Sequence, residues 1–315
     1  MPGAYSENET GRRRKSRRAR RRTGRIFFLL LVIAAGLVLL KLGGQGTVHV
    51  PVKASLSNIN TDFDIDLDAV AASCEARGGS FQPQEDELEE LRETADKNAE
   101  YREKINFFID HAASYDETAV HTLILSPEKI DFVLLAPFSE STPAGDWDTD
   151  VKKGVIPYFI QYDSRWAFHS YGSSCMGNTA CGPTCLAMAA AGLTGNAGYT
   201  PDKVADYAAE NGFYVPGSGT GWELFTGGAQ AFGLRGEQIS VDKSAMEESL
   251  RDGGVLIASL TPGDFTMAGH FIVIYSSGIG GFRVYDPSSI ARSDRAWSFD
   301  ALQPQIAQVW SLSAA

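Results

Sequence analysis

The chain has 315 residues, of which 43% are apolar and 21% charged, a composition typical of a globular protein with one or two domains. Its formal net charge is −11, but residues 1–25 hold ten Lys or Arg and two Glu, so this segment carries +8 and the rest of the chain −19. The acidic remainder repels phosphate, which argues against nucleic acid as a partner. No Cys/His set has the spacing of a zinc site, and we expect no metal or other cofactor.

The N-terminal region predicts attachment to a membrane. Residues 26–40 contain no polar side chain, and the apolar character continues past Lys41 to Gly44. Because the basic segment 1–25 precedes this stretch, the positive-inside rule places that segment in the cytoplasm and the rest of the chain outside the cell. We therefore expect a single-pass signal anchor at 26–44. Fifteen apolar residues are few for a spanning helix, and a cleaved signal peptide is the alternative.

The middle of the chain divides by composition into three segments. Residues 45–84 mix apolar residues with Asp, Asn and Ser and predict a stalk or linker. Residues 85–138 predict a helical spacer, because apolar residues such as Leu88 and Leu91 recur at steps of three and four. Residues 139–153 contain a Pro-Ala-Gly sequence and predict a second linker.

The last segment, residues 154–315, predicts a domain of its own. Its first half has the patterns of helices, at 182–193, 201–210, 221–232 and 245–251. Its second half has short apolar runs that predict antiparallel strands, at 255–260, 269–275, 282–287 and 308–312. Helices followed by an antiparallel sheet indicate an α+β fold.

Cys181 is expected at the N-terminal end of the first of these helices. Pro183 fits the first helical turn, where its missing N–H would have no partner anyway. The free N–H groups and the positive end of the helix dipole favour a thiolate at that place, and the thiolate is the nucleophilic form of cysteine. From this stretch alone, the alternative is a small cysteine buried in a core helix.

Two residues of the predicted sheet complete a set with Cys181. His270 stands at the start of the second strand and Asp286 at the end of the third, and a hairpin brings these two ends together. A thiol, an imidazole and a carboxylate are the nucleophile, base and orienting group of covalent catalysis. The alternatives are a strand histidine whose ring has a structural partner, and an Asp286-Pro287 pair that starts a turn.

The other three cysteines receive structural interpretations. In an extracytoplasmic compartment Cys74 and Cys175 are the most plausible disulfide pair, although four cysteines allow three full connectivities and the sequence does not choose among them. Cys185 follows Cys181 by one helical turn on the same face, a poor geometry for a disulfide. We expect Cys185 to be buried behind the nucleophile.

Several motifs of the last segment occur together: Pro157-Tyr-Phe-Ile-Gln161, Tyr171-Gly172, Ala180-Cys181-Gly-Pro-Thr184, Leu193-Thr-Gly195, Thr200-Pro201, Gly269-His270-Phe271 and Asp286-Pro287. In this combination, residues 155–313 resemble the C39-like peptidases, which are papain-fold cysteine peptidases of bacteria. Residues 100–137 also resemble the segment that precedes this domain in membrane-anchored members from Firmicutes.

The resemblance implies a papain-like fold whose helical part carries Cys181 and whose antiparallel sheet carries His270 and Asp286. It implies that Cys181 is the nucleophile, His270 the general base and Asp286 the group that orients the imidazole. It further implies a glutamine in the oxyanion hole, for which Gln161 is the candidate. Asn178 is the alternative candidate for that position.

The resulting expectation is a thiol hydrolase at the cell surface that cleaves peptide amide bonds through a thioester. Its partners would be a peptide or protein substrate and the membrane, contacted through the single N-terminal span. One alternative is a peptidoglycan amidase or transpeptidase of the same fold. The other is a binding module that keeps the papain fold without catalysis, although such a module would need none of Cys181, His270 and Asp286.

Overall fold

The first half of the folded chain consists of helices. The structure, a computed structural model, describes residues 56–315, so the predicted tail 1–25, the predicted anchor 26–44 and the start of the predicted stalk lie outside the described residues. Five helices are described before residue 139: α1 Leu67–Arg77, α2 Glu85–Lys97, α3 Arg102–Asp110, α4 Glu117–Leu125 and α5 Ile130–Leu135. Within residues 56–315, no helix has the length and apolar composition needed to cross a bilayer.

Helix α1 lies in the segment expected to be a stalk. The Asp66 carboxylate caps its N-terminus by accepting hydrogen bonds from the N–H groups of Asp68 and Ala69, and the helix ends at Gly78, whose φ of 63° suits glycine. Only Val70 and Cys74 of this helix are buried. Two buried positions in eleven residues give too weak an apolar period to predict the helix from the sequence.

Helix α4 begins at an Asp116 cap and ends before Ser126. Near the end of the predicted helical spacer 85–138, a 3-10 turn at Pro127–Lys129 leads into α5. Proline begins the 3-10 turn because its fixed φ fits the first position of a helix. This turn directs Lys129 and Glu128 towards the second half of the chain, where both find partners.

The second half contains helices and strands in the α+β arrangement that was predicted. Its helices are α6 Met176–Thr179, α7 Cys181–Thr194, α8 Pro201–Glu210, α9 Lys243–Arg251, α10 Ile290–Ser293 and α11 Phe299–Leu302. Its strands are β1 Ser170–Tyr171, β2 Ser174–Cys175, β3 Tyr214–Val215, β4 Gly219–Thr220, β5 Leu234–Ile239, β6 Val255–Leu260, β7 His270–Gly278, β8 Gly281–Tyr285, β9 Ala296–Trp297 and β10 Ile306–Ala314.

Six strands form one antiparallel sheet in the order β5-β10-β6-β7-β8-β9. Both faces of the central strands β6 and β7 are buried. Because side chains alternate along a strand, the odd-numbered residues pack towards α7 and the even-numbered residues pack on the opposite face with α9. Strand β5 was not predicted, because it is an edge strand whose residues, with Leu234 as the only buried one, are largely solvent-accessible. The coarse α+β prediction is confirmed.

The helix predicted at 221–232 is wrong. The structure has two 3-10 helices there, Trp222–Phe225 and Gly228–Phe232. Thr226 between them leaves the helical region with φ −117° and ψ −82°, and two glycines follow it. Glycine weakens a helix interior, so the apolar period alone overestimated this segment.

One hydrophobic core includes residues from both halves of the chain. Leu91, Phe108 and Phe132 from the helices before residue 139 belong to the same buried cluster as Trp166 and Leu186. The described residues, 56–315, accordingly lie in one compact unit. The described parts of the predicted stalk, spacer and linker therefore share a hydrophobic core with the predicted catalytic region. They are not separate segments outside that core.

Candidate active site

Cys181 is the first residue of helix α7, as the position of Pro183 predicted. The helix is buried along almost its entire length and packs against strand β7. Its second residue has to be glycine, because a Cβ on Gly182 would lie 2.6 Å from Oγ1 of Thr220 in strand β4. The close approach of β4 keeps the N-terminal turn of α7, and with it the thiol, on the wall of a cleft.

The structure brings Cys181, His270 and Asp286 together. His270 is the first residue of β7, and Asp286 directly follows β8, its antiparallel neighbour. The Nε2 atom of His270 lies 2.7 Å from Oδ1 of Asp286, and Cys181 and His270 line the same cleft, where the imidazole lowers the pKa of the thiol. Because Nε2 is used by Asp286, the nitrogen left for the sulfur is Nδ1.

The electrostatics of these three groups favour an ion pair between Cys181 and His270. Burial raises the pKa of the Cys181 thiol, but the hydrogen bond and charge of His270, with the N–H groups of Phe271 and Gly182, bring this pKa below its usual value. Burial lowers the pKa of His270, but Asp286 and the Cys181 sulfur outweigh burial and raise it to about 9. Both shifts favour a thiolate beside an imidazolium over a neutral thiol beside a neutral imidazole.

Asp286 is fully buried and has a second charged partner, Arg292, which sequence reasoning missed. The Arg292 Nε donates to Oδ2 of Asp286 at 2.5 Å, and the Ser288 N–H donates to Oδ1 at 2.7 Å. Burial raises the pKa of Asp286, but the charges of Arg292 and His270 hold it well below its usual range. Asp286 thus remains a carboxylate and fixes the orientation of the imidazole.

Arg292 also reaches the helical half of the chain. Its Nη1 donates to the Leu125 carbonyl at 2.7 Å, and its Nη2 donates to Oγ of Ser126 at 2.9 Å. Leu125 is the last residue of α4, whose final carbonyl groups have no partner within the helix, and a cation at that end is favoured by the dipole. The position of Asp286 therefore depends on helix α4 as well as on the sheet.

Gln161 lies on the wall of the same cleft as Cys181. The segment that carries it is held against the Asp286-Pro287 turn by a hydrogen bond from the Gln161 N–H to the Pro287 carbonyl, 2.8 Å long. Its side chain is buried, and Nε2 donates one hydrogen to the Gly177 carbonyl at 2.7 Å. Because an amide nitrogen carries two hydrogens, one remains for a ligand in the cleft.

Asn178, the alternative oxyanion candidate, also lines the cleft. Its side chain is exposed, and its Nδ2 donates to Oγ of Ser174 at 3.2 Å. An exposed donor has a more mobile hydrogen and a higher dielectric around it than a buried one. Of the two, Gln161 is the one held in place by its surroundings.

The cleft has a volume of about 840 Å³ and is built from both halves of the chain. From the helical half, α4 and the following turn contribute Thr118, His121 and Lys129 to its wall. From the second half come the Cys181 and His270 region, the β3–β4 hairpin and the loop 265–269 before β7. The site is therefore an open groove with walls from both halves of the chain.

The remaining cysteines are free thiols, so the disulfide expected between Cys74 and Cys175 is absent. Cys74 packs in α1, where its sulfur donates to Oη of Tyr115 at 3.7 Å, while Cys175 ends strand β2 beside α6. Cys185 is buried behind Cys181 as expected, and burial raises the pKa of its thiol well above the usual value. Cys181 is thus the cysteine whose surroundings favour reactivity.

Among residues 56–315, one group of side chains has the composition of a metal site: Glu87, Glu117 and His121, whose ligating atoms lie within 4.8 Å of one another. Two of these groups already have protein partners. Glu87 accepts from His121 at 2.9 Å and from the Gln84 N–H at 2.8 Å. The first contact joins α2 to α4 and the second caps α2, so both residues have structural roles.

Comparisons with known protein families, with curated proteins and with solved structures find no match for this chain. The fold and the site define an α+β protein in which a cysteine and a histidine line one groove and a buried aspartate is hydrogen-bonded to that histidine.

Proposed function

We propose that this chain is a cysteine peptidase of the C39-like, papain-fold type. One observation carries the proposal: the thiol at the N-terminal end of α7 shares a cleft with His270, which lowers the pKa of the thiol and whose Nε2 is hydrogen-bonded to Asp286. A buried structural cysteine would require neither partner, and Cys185, one turn away, has neither. The arrangement matches the nucleophile, base and orienter of covalent acyl transfer.

In the first step the Cys181 thiolate attacks the carbonyl carbon of the scissile amide. The carbonyl oxygen becomes an oxyanion, which the Cys181 N–H and the free Nε2 hydrogen of Gln161 stabilise. The C–N bond then breaks as the His270 imidazolium gives its Nδ1 proton to the leaving nitrogen. An amine departs, and the acyl group stays on the sulfur as a thioester.

In the second step water replaces the amine. Neutral His270 takes a proton from the water at Nδ1, and the resulting hydroxide attacks the thioester carbonyl. The C–S bond breaks, the thiolate returns to its contact with the imidazolium, and a carboxylic acid leaves the groove. Asp286, kept ionised by Arg292, holds the ring in the same orientation throughout.

The location we propose for this activity is the outer face of the cell membrane. The support is the order of a basic segment, 1–25, and an apolar segment, 26–44, ahead of the folded region. The substrate is then a peptide or protein at the cell surface. An open groove formed by two halves of the chain fits an extended polypeptide better than a compact ligand.

The test is alkylation by iodoacetamide at pH 7 followed by mass spectrometry of each cysteine. We expect Cys181 to react first in the wild type, to react much more slowly in His270→Ala, and to keep its rate in the control variant Cys175→Ala. Faster reaction of Cys175 or Cys185, or an unchanged Cys181 rate in His270→Ala, would contradict the proposal. Assay of a peptide library beside purified muropeptides then separates a peptidase from a peptidoglycan amidase.

A further inference from the structure

Lys129 is a buried cation without an ionic partner. Its side chain is 3% exposed, and its Nζ donates to the Gly177 carbonyl at 3.0 Å and to Oγ of Ser288 at 3.1 Å. Both acceptors are neutral, Nζ also lies 5.5 Å from the Phe132 ring centroid and 5.3 Å from that of Tyr162, and Lys129 forms no ion pair with a carboxylate of residues 56–315. Buried charges in proteins are normally paired, so an unpaired one on the wall of a groove indicates a missing anion.

The other buried cation at this groove, Arg292, is different. Its guanidinium already donates to Asp286, to the Leu125 carbonyl and to Ser126. An ammonium group has three hydrogens, and Lys129 uses two, both on neutral acceptors. Of these two cations, Arg292 has a carboxylate partner and Lys129 has none, so Lys129 is the one whose charge is left for a ligand.

The lining of the groove contains no carboxylate. The described residues on its wall include Lys129 and Arg292, and none of them is Asp or Glu. This contrasts with a chain whose net charge is −11. Because Arg292 is paired with Asp286, the charge that Lys129 presents to this lining is the one left to attract an anionic ligand.

The groove also concentrates exposed apolar side chains. Four large apolar residues of the described chain are prominently exposed, and three of them, Val215, Trp222 and Met267, line this groove. They come from the β3–β4 region and from the loop before His270, whereas Lys129 comes from the turn after α4. Exposed aromatic and Met side chains in a groove are typical of a surface that packs against a ligand.

We propose that the substrate is a peptide that places a carboxylate against Lys129 and a large apolar side chain against Trp222 and Met267. The carboxylate belongs either to an Asp or Glu side chain or to the C-terminus of the peptide. This specificity rests on the proposed peptidase function. A charge-assisted hydrogen bond in a buried site predicts a preference for carboxylate over amide of about tenfold to a hundredfold.

The experiment compares matched fluorogenic peptides that differ only by Glu or Gln at one position, or by a free or amidated C-terminus. In the wild type we expect kcat/KM to be at least about tenfold higher for the carboxylate member of one pair. In Lys129→Gln, which keeps a neutral donor, and in Lys129→Met, the two members should be cleaved equally. Lys129→Arg should retain part of the preference, and the surface control Lys203→Gln should retain all of it.

A second measurement requires no turnover. Each peptide is tested for protection of Cys181 against iodoacetamide, so the carboxylate preference can be measured even when no peptide is cleaved. Cleavage without a carboxylate preference, or a preference that persists in both neutral Lys129 variants, overturns the inference and leaves the peptidase proposal intact. Peptide protection that depends on Lys129 without any cleavage supports the inference and contradicts the peptidase proposal.

Discussion

Arg292 lies between Asp286 and the end of helix α4, and its guanidinium is hydrogen-bonded to both. The buried carboxylate that orients the imidazole is therefore held by a residue which is itself held by the helical half of the chain. A carboxylate that orients an imidazole is effective only while its own position is fixed. Here Asp286 is fixed through Arg292, whose hydrogen bond to the Leu125 carbonyl joins residues that are 167 positions apart.

Arg292→Gln is expected to lower kcat and to weaken the fold. Removing one partner of a buried ion pair costs about 3–5 kcal/mol, because the other charge stays buried without compensation. The pKa of Asp286 should rise, so the loss of activity on acidification should begin at a higher pH than in the wild type. The pH profile of kcat/KM and the free energy of unfolding measure the two effects separately.

Arg165→Gln is the matched control for this variant. Arg165 is paired with Asp163, another fully buried carboxylate, at 2.8 Å, but that pair holds a loop and does not touch His270. Arg165→Gln should destabilise the protein and leave the shape of the pH profile unchanged. A profile that is identical in both variants would show that Arg292 acts on stability alone.

At alkaline pH we expect turnover to fall while alkylation of Cys181 continues. The pKa of His270 is raised to about 9, so the imidazolium proton needed by the leaving amine is present below that pH and lost above it. The Cys181 thiolate persists there, and iodoacetamide labelling should continue while kcat/KM falls. In Asp286→Asn the alkaline fall should move to lower pH, because Asp286 is the main group that raises the pKa of His270. Parallel loss of labelling and turnover would contradict the ion pair.

Gln161→Ala is expected to reduce kcat by about 10²–10³-fold, the usual cost of one oxyanion donor. Alkylation of Cys181 forms no oxyanion, so its rate should change little. Asn178→Ala is the control, since Asn178 lines the same cleft but is exposed. A larger loss in Asn178→Ala than in Gln161→Ala would transfer the role to Asn178. Single-turnover kinetics on a peptide substrate measure both variants.

A chain that begins at residue 154 is expected not to fold. Leu91, Phe108 and Phe132 belong to the same buried cluster as Trp166 and Leu186, and their removal would expose the apolar surface they cover. Phe132 also lies so close to Gly177 that a Cβ there would be 2.2 Å from its ring. A chain that begins at residue 56 should melt cooperatively in circular dichroism, while the shorter one should not.

Much of the second half could be predicted from local signals. The Gly182-Pro183 start of α7, the Thr200-Pro201 start of α8 and the apolar runs of β6 and β7 each have a physical cause within a few residues. The proximity of His270 and Asp286 followed from the hairpin between their strands. A hairpin fixes which strand ends meet, so this part of the geometry needed no long-range information.

The contributions of Lys129 and Arg292 could not be predicted in the same way. Lys129 reaches Ser288, 159 positions away, and Arg292 reaches Leu125 across a similar interval. Neither has a neighbouring motif, and a lysine after a proline turn normally indicates a solvated residue. Helix α1 was missed for a related reason: its role comes from two buried residues that meet partners far along the chain.

The two-sided construction of the groove limits how this molecule can be re-engineered. One wall, with Lys129 and the anchor point of Arg292, is encoded before residue 130, and the sulfur and imidazole are encoded after residue 180. A chimera that grafts the cysteine-bearing region onto a foreign scaffold would leave behind half of its own binding surface. Any transplant that is to keep its selectivity has to carry the stretch from Glu117 to Lys129 along with it.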